Sequence, residues 1–139
     1  MTKNKPITGI VLGIFFVIVA VYLIVDGVKK SKLLHSNYTE IAAIITSIGG
    51  GGMKIHDNAR YEFNVEGVRY AGQFPYGQIC TSLTQTDKVS IVGDSIIAVY
   101  NPNNPNISYP LLSMVSLIDY GVIPSKSYKD YIIKNFDCD

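Results

Sequence analysis

The sequence predicts a mainly β domain, a small antiparallel sheet or barrel, with an N-terminal transmembrane helix before it and short C-terminal helices after it. Three observations predict this: a long uncharged segment near the start, apolar and polar residues alternating around a Glu-Gly pair, and helical apolar spacing near the end. The predicted order is a basic tail (1–6), a membrane helix with a juxtamembrane extension (7–36), the β domain (37–108) and a helical segment packed on it (109–139).

The first of these elements is an apolar run. Residues 6–25 are twenty consecutive uncharged positions, bounded by Lys5 and Asp26. A helix rises about 1.5 Å per residue, so the run spans the roughly 30 Å hydrocarbon core of a bilayer. It is longer than the apolar part of a signal peptide, and no small-x-small cleavage pattern precedes Asp26. We therefore predict an uncleaved, single-pass anchor in a cell membrane.

The lysines that flank the apolar run give little indication of the orientation of the anchor in the membrane. Two lysines precede the run and three follow it closely, so the positive-inside rule is nearly balanced. We expect the N-terminus inside and the domain outside, because a short basic tail usually stays where it is made. Gly9 and Gly13 form a G-x-x-x-G pair, and the hypothesis for them is a helix–helix contact that makes a homo-oligomer.

Charge is divided unevenly between anchor and domain. Up to Ser36 five lysines accompany one acid, whereas from Asn37 onward seven Lys or Arg residues accompany ten Asp or Glu residues. A mildly acidic domain lacks the basic footprint of a nucleic-acid binder, so no nucleic-acid partner is expected. The predicted partners are the lipid bilayer and another membrane or envelope protein.

Strand signals dominate the domain. Residues 38–48 alternate and are apolar on both faces, which predicts a covered strand. Glu66-Gly67 predicts a two-residue hairpin turn that pairs Val65 with Val68, and the same register continues over residues 59–74. One hairpin face is then aromatic and aliphatic and the other polar, which is typical of a half-buried antiparallel sheet.

Further along the chain, residues 75–87 read as a long excursion. Residues 88–92 and 95–100 predict two more strands joined by Gly93-Asp94, and the Asn-Pro-rich residues 101–106 predict a turn that ends the sheet.

The C-terminal part has helical spacing. Pro110 fits the first turn of a helix, and five apolar residues are predicted to share one face of it: Leu111, Met114, Val115, Ile118 and Val122. Ser127 with Asp130 is the predicted N-cap pair of a last helix, with Tyr128, Tyr131 and Ile132 on one side.

Two motifs resemble a known family. Residues 60–70 read R-Y-E-F-N-V-E-G-V-R-Y, and residues 93–105 run from Gly-Asp to V-Y-N-P-N-N-P. Both are similar to motifs of a widespread group of bacterial membrane proteins of unknown function, which have a small β domain beside one or two transmembrane helices. The resemblance covers roughly residues 7–108 and implies architecture, without an activity. Many members have a second transmembrane helix after the Asn-Pro turn, whereas Asp119 and Pro124 argue against one here.

Few residues of the sequence are candidates for catalysis, metal binding or disulfide formation. Cys80 and Cys138 are too far apart in sequence for a metal-ligand pair, so either one disulfide or two unpaired thiols follows, and unpaired thiols are the favoured expectation. No catalytic, metal or cofactor motif occurs, which favours a non-catalytic protein that needs no cofactor. An enzyme of unrecognised type is the alternative, based on His56 and Asp57, which follow a run of four glycines, or on residues of the 75–87 excursion.

The function that these patterns favour is a membrane-tethered, non-catalytic interaction or accessory module of the bacterial envelope. An immunity protein for an envelope-acting toxin is an alternative of the same kind. The candidate partner surface is the polar hairpin face, which carries Arg60, Glu62 and Arg69.

Overall fold

The computed structural model describes residues 5–49, 58–80 and 83–137. The chain forms two units, which divide between Ser36 and Asn37. The first contains helix α1 (Lys5–Ser36). Within it, Ile10–Ser36 is long and apolar enough to cross a membrane, since its most apolar stretch has a mean hydropathy of 2.7 and none of that stretch is buried.

The second unit is built on one antiparallel sheet in the order β3-β2-β1-β4-β5. Its strands are β1 (Thr39–Ser47), β2 (Asn58–Val65), β3 (Val68–Pro75), β4 (Ser95–Asn101) and β5 (Asn104–Pro110). The edge strands β3 and β5 approach each other, which makes the sheet a nearly closed barrel. The helices of this unit are α2 (Gln85–Ser90), α3 (Met114–Asp119) and α4 (Lys126–Asn135). The predicted fold class is therefore confirmed.

The barrel interior is organised around Tyr61, which is fully buried on β2. Its ring lies over Gly72 of β3, its cross-strand partner, where a Cβ atom would collide with the ring. Its hydroxyl shares a 2.9 Å hydrogen bond with Ser108 Oγ of β5. One side chain thus links strands that lie on opposite sides of the sheet, and the rest of the core surrounds it: Ala43, Ile45, Ala59, Phe63, Phe74, Ile79, Ile91, Ile96, Ala98, Tyr100, Leu112 and Ile132.

The predicted hairpin is confirmed with its register. Eight pairs run without interruption from Val65↔Val68 to Asn58↔Pro75. Both turn residues have positive φ, 52° at Glu66 and 84° at Gly67, as a tight turn matched to the strand twist requires. The Asn64 side chain supports the turn by accepting a 2.8 Å hydrogen bond from the Gly67 N–H. The strand predicted over residues 38–48 is present as β1, but the prediction that both of its faces are covered is wrong, because Ala42 and Ile44 are exposed on the face opposite Ala43 and Ile45.

The strand predicted over residues 88–92 is wrong, because helix α2 occupies part of that segment. Thr84 and Asp87 form a reciprocal cap: the Asp87 carboxylate accepts from the Thr84 N–H and hydroxyl, and Thr84 Oγ1 accepts from the Asp87 N–H. Gly93 and Asp94 therefore join a helix to β4. They bond back to Ile45 of β1 through Gly93 N–H to Ile45 O, 2.8 Å, and Ile45 N–H to Asp94 O, 3.0 Å.

The prediction that the sheet ends at the Asn-Pro turn is wrong as well. The chain turns at residues 102–103 and continues as β5, which pairs with β4 up to Pro110. The turn depends on the buried side chain of Asn101, whose Oδ1 accepts from the N–H groups of Asn103 and Asn104 at 2.9 and 3.2 Å. Turn composition reveals a chain reversal, but not whether a further strand follows it.

Pro110 ends β5 and does not begin a helix, so the predicted helical face is only partly correct. Helix α3 begins after Ser113, which forms a capping box with Ser116. Leu111 and Val122 are buried and Met114 is half-buried, whereas Val115 and Ile118 are exposed.

The predicted Ser127–Asp130 cap of the last helix is wrong. Ser125 caps α4 by accepting from the Tyr128 N–H at 3.2 Å. The predicted inner side of this helix is correct, since Ile132 is fully buried and Tyr128 and Tyr131 pack against the core.

Candidate functional site

The polar face of the β2–β3 hairpin carries the three predicted partner-surface residues. Glu62 pairs across the strands with Ala71, and Arg69 pairs with Asn64, so Glu62 and Arg69 are diagonal neighbours. Arg69 Nη1 lies 3.4 Å from Glu62 Oε2, with side chains 78% and 34% exposed. Arg60 lies two residues before Glu62 on the same face and is exposed. The structure brings all three together on an open polar face.

The glycine pair of α1 is the second predicted contact site. A Cβ atom on Gly13 would meet nothing within 4 Å, so this face of the helix is open. Gly9 lies one turn earlier in the same helix, and its surroundings are outside the described part of the structure. Glycines four residues apart are the type of residue pair that a close helix–helix approach uses.

The residues considered for catalysis give no assembled site in the described ranges. His56 and Asp57 lie outside the described residues. His35 is exposed on α1, with Nδ1 2.9 Å from the Ser31 carbonyl oxygen one turn earlier. Among residues 5–49, 58–80 and 83–137, no three His, Cys, Asp or Glu side chains lie close enough together to hold a metal ion.

A shallow groove of about 280 Å³ crosses β1 and β4 beside α4. Its ionisable side chains are those of Glu40 and Tyr128. The Tyr128 hydroxyl accepts from the Ile97 N–H at 2.8 Å and donates to the Leu111 carbonyl oxygen at 3.1 Å, so it closes the ladder where β5 leaves β4. Burial raises the pKa of Tyr128 to about 12, which keeps it neutral at physiological pH. In this groove Tyr128 therefore has a structural role.

Buried tyrosines elsewhere follow the same pattern. Burial raises the pKa of Tyr61 to about 12, against a smaller opposite effect of its hydrogen bond to Ser108. The pKa of Tyr131 is raised first by burial and then by the nearby Asp94 charge. In both tyrosines the largest cause of the raised pKa is burial.

The expectation of two unpaired thiols is wrong, because Cys80 is disulfide-bonded. Its N–H donates to the Asn135 carbonyl oxygen at 2.8 Å, which ties the segment after β3 to the end of α4. The sequence has one other cysteine, Cys138, three residues after Asn135 and outside the described residues. Sequence spacing alone could not find this link, since it depends on the packing of α4.

Comparisons with protein-family models, curated proteins and solved structures find no match to this chain.

Proposed function

We propose that this chain is a single-pass membrane protein whose β domain acts as a non-catalytic interaction or accessory module of the bacterial envelope. The observation that carries the proposal is α1, in which the apolar side chains of residues 10–25 are exposed all round the helix. A surface helix of a soluble protein has a polar stripe, which this segment lacks. The resemblance of residues 60–70 and 93–105 to bacterial membrane proteins supports the same role.

The end of the apolar run supports a membrane boundary near Asp26. Its carboxylate lies 2.7 Å from Lys30 Nζ one turn later, and both side chains are largely exposed. Ten residues of helix follow Asp26, with no break before Ser36. A continuous helix across this boundary fits an anchor that stays attached to its domain.

Alkaline carbonate extraction tests the anchor, with intact mass measurement to detect cleavage. We expect the full-length mass in the membrane pellet. Replacing Phe15 and Phe16 with Lys should release the chain, since each central lysine costs roughly 2.5–3.5 kcal/mol of insertion free energy. Val28→Lys, beyond the apolar run, is the matched control and should stay in the pellet. Extraction of the wild-type chain, or a mass that lacks the apolar run, would contradict the proposal.

We also propose that the domain lies on the non-cytoplasmic side. The disulfide at Cys80 supports this side, because disulfides persist in oxidising compartments and are rare in the cytosol. A topology reporter fused after Asp139 should be active outside the cytoplasm. Thiol labelling of the denatured, unreduced chain should find no free thiol, and Cys80→Ser should expose one. A cytoplasmic reporter signal together with labelled wild-type thiols would reject this orientation.

The candidate partner contact is the polar hairpin face of Arg60, Glu62 and Arg69. Photocrosslinking in native membranes tests it, with the crosslinker placed at Arg69 and, as a control, at Lys134, which is exposed on α4. We expect one dominant adduct with another envelope protein from position 69 and none from position 134. Recovery of the uncrosslinked chain from both positions would count against the surface.

A further inference from the structure

An exposed apolar surface lies in the C-terminal part of the domain. Val115, Ile118 and Ile123 are 67%, 72% and 94% exposed, and together they are called the C-terminal apolar surface. Single exposed aliphatic residues are ordinary, but three within nine positions are the kind of patch that marks an interaction site.

The backbone fixes this exposure. The Val122 N–H donates to the Leu117 carbonyl oxygen and the Gly121 N–H to that of Ile118, each at 2.9 Å, with Gly121 at a φ of 63°. This pattern is a Schellman motif, in which the two residues that make its apolar contact, Leu117 and Val122, are buried here. Their successors in the chain, Ile118 and Ile123, are thereby held outward.

The same segment is tied to the point where the domain begins. The Tyr38 hydroxyl donates to the Tyr120 carbonyl oxygen at 2.6 Å, and the two rings meet edge to face with centroids 5.0 Å apart. Tyr38 is only two residues after Ser36, the last residue of α1. Tyr109, which is partly exposed, stacks on Tyr120 with a centroid distance of 6.4 Å. Tyrosines of this kind are enriched at the level of lipid headgroups.

The length of α1 allows the domain to reach the bilayer. The ten helical residues after Asp26 rise about 15 Å at 1.5 Å per residue. The headgroup layer on one side takes up roughly 5–8 Å of that rise. About 7–10 Å of helix then separates the headgroups from Asn37, where the domain begins.

We propose that the C-terminal apolar surface inserts into the headgroup region of the membrane that holds α1. The inference rests on the proposed anchor. A lipid surface is the occupant favoured by the tether, because the chain keeps the bilayer at high effective concentration beside the domain. Lys126 is exposed just after the surface, where it offsets Asp119, which is exposed within the segment, and can contact anionic headgroups.

The sequence contains no tryptophan, so each introduced tryptophan reports one position. We would reconstitute four full-length variants in phosphatidylcholine–phosphatidylglycerol vesicles that contain lipids brominated near the carbonyl end of the acyl chain, for the surface, or near its methyl end, for α1. Ile123→Trp reports the surface and Phe16→Trp reports α1. Val92→Trp is the control, because it is exposed and precedes Gly93, which bonds to Ile45 near the end of β1 that is far from Tyr38. Unchanged far-ultraviolet circular dichroism shows that each variant folds, and Ile118→Trp provides a second reporter of the surface.

We expect Phe16→Trp and Ile123→Trp to lose most of their emission to bromine quenching, with Ile123→Trp blue-shifted, while Val92→Trp keeps its emission. Quenching of Phe16→Trp without quenching at Ile123 or Ile118 would overturn the surface and leave the anchor standing. Unquenched Phe16→Trp would remove the anchor and the surface together. A blue shift at Ile123 that is unquenched and grows with the protein-to-lipid ratio would identify a second copy as the occupant and overturn the lipid proposal.

Discussion

The barrel contains two β-hairpins, and the chain reversal of each is stabilised in a different way. In the β2–β3 hairpin the reversal depends on backbone conformation, with positive φ at Glu66 and Gly67, and the register is uninterrupted. In the β4–β5 hairpin the reversal depends on the buried Asn101 side chain, and the register shifts between Tyr100 and Asn101. The turn of the β2–β3 hairpin is determined by two adjacent residues, whereas the turn of the β4–β5 hairpin requires a polar side chain that is buried in the core.

This difference predicts where substitutions act. The β2–β3 hairpin should be sensitive where its side chains meet across strands, and the β4–β5 hairpin where its turn is capped. All unfolding measurements below use the full chain in detergent micelles, with urea as denaturant, so that the free energies of unfolding can be compared.

The largest effect is expected at Gly72. In Gly72→Ala the new Cβ would collide with the Tyr61 ring, and such overpacking should lower the free energy of unfolding by about 3 kcal/mol. Gly77→Ala is the matched control, because a Cβ there meets nothing within 4 Å. In a Tyr61→Ala background the added cost of Gly72→Ala should disappear, which a double-mutant cycle detects. Equal stabilities of Gly72→Ala and Gly77→Ala would refute the contact.

The second effect tests the side-chain cap of the other hairpin. Asn101→Ala removes the acceptor for two backbone N–H groups at a buried site, so we expect a loss of about 2 kcal/mol in the free energy of unfolding. Asn103→Ala changes an exposed residue in the same turn and should cost less than about 0.5 kcal/mol. If both variants lose the same free energy of unfolding, the turn between β4 and β5 is stabilised by turn propensity and not by the buried Asn101 cap.

The contrast between the hairpins also explains how much could be predicted. The β2–β3 register was predictable because alternation and one Glu-Gly pair determine which side chains face inward. Strand β5 was not, because the Asn101 cap depends on burial in the core and the Tyr61–Ser108 hydrogen bond joins residues 47 positions apart in sequence. For α2, a Thr84–Asp87 capping pattern was present in the sequence, but the apolar character of residues 88–92 favoured a strand.

The two candidate surfaces also differ in how far they could be predicted from the sequence. Arg60, Glu62 and Arg69 could be assigned to one face, since strand alternation places them there. The exposure of Ile118 and Ile123 could not be predicted, because helical spacing marks an apolar face without showing that a Schellman motif turns part of it outward. The link at Cys80 depends in turn on the position of α4, which no local pattern gives.

The third prediction concerns Tyr61, which joins the β2–β3 hairpin to β5. Tyr61→Phe removes the hydrogen bond to Ser108 and should cost about 1 kcal/mol at neutral pH. Because the folded state raises the pKa of Tyr61 to about 12 from 10.0, its neutral form stabilises the fold fully below pH 10, and that contribution is lost as pH rises towards 12. The alkaline loss of stability should therefore be smaller in Tyr61→Phe than in wild type.

Ser108→Ala is the control for that titration. It removes the same hydrogen bond but leaves the buried Tyr61 hydroxyl without this partner, so it should cost at least as much as Tyr61→Phe at neutral pH. Because that hydrogen bond lowers the pKa of Tyr61, Ser108→Ala should also keep at least the full alkaline loss. Identical alkaline profiles for Tyr61→Phe and wild type would show that Tyr61 does not contribute to the titration. Some alkaline loss remains in every variant, since the pKa of Tyr128 is also raised to about 12.

The smallest effect is expected on the polar face of the β2–β3 hairpin. Glu62 and Arg69 are solvent-exposed enough that their 3.4 Å ion pair should contribute less than about 0.5 kcal/mol, measured as the coupling energy of Glu62→Ala with Arg69→Ala. A coupling energy above about 1 kcal/mol would contradict this prediction and show that the ion pair stabilises the hairpin. The single variant Glu62→Ala, at a partly exposed site, should itself cost less than about 0.5 kcal/mol and stay folded. Loss of the partner that is crosslinked from position 69 in Glu62→Ala would then report on binding at this face and not on unfolding.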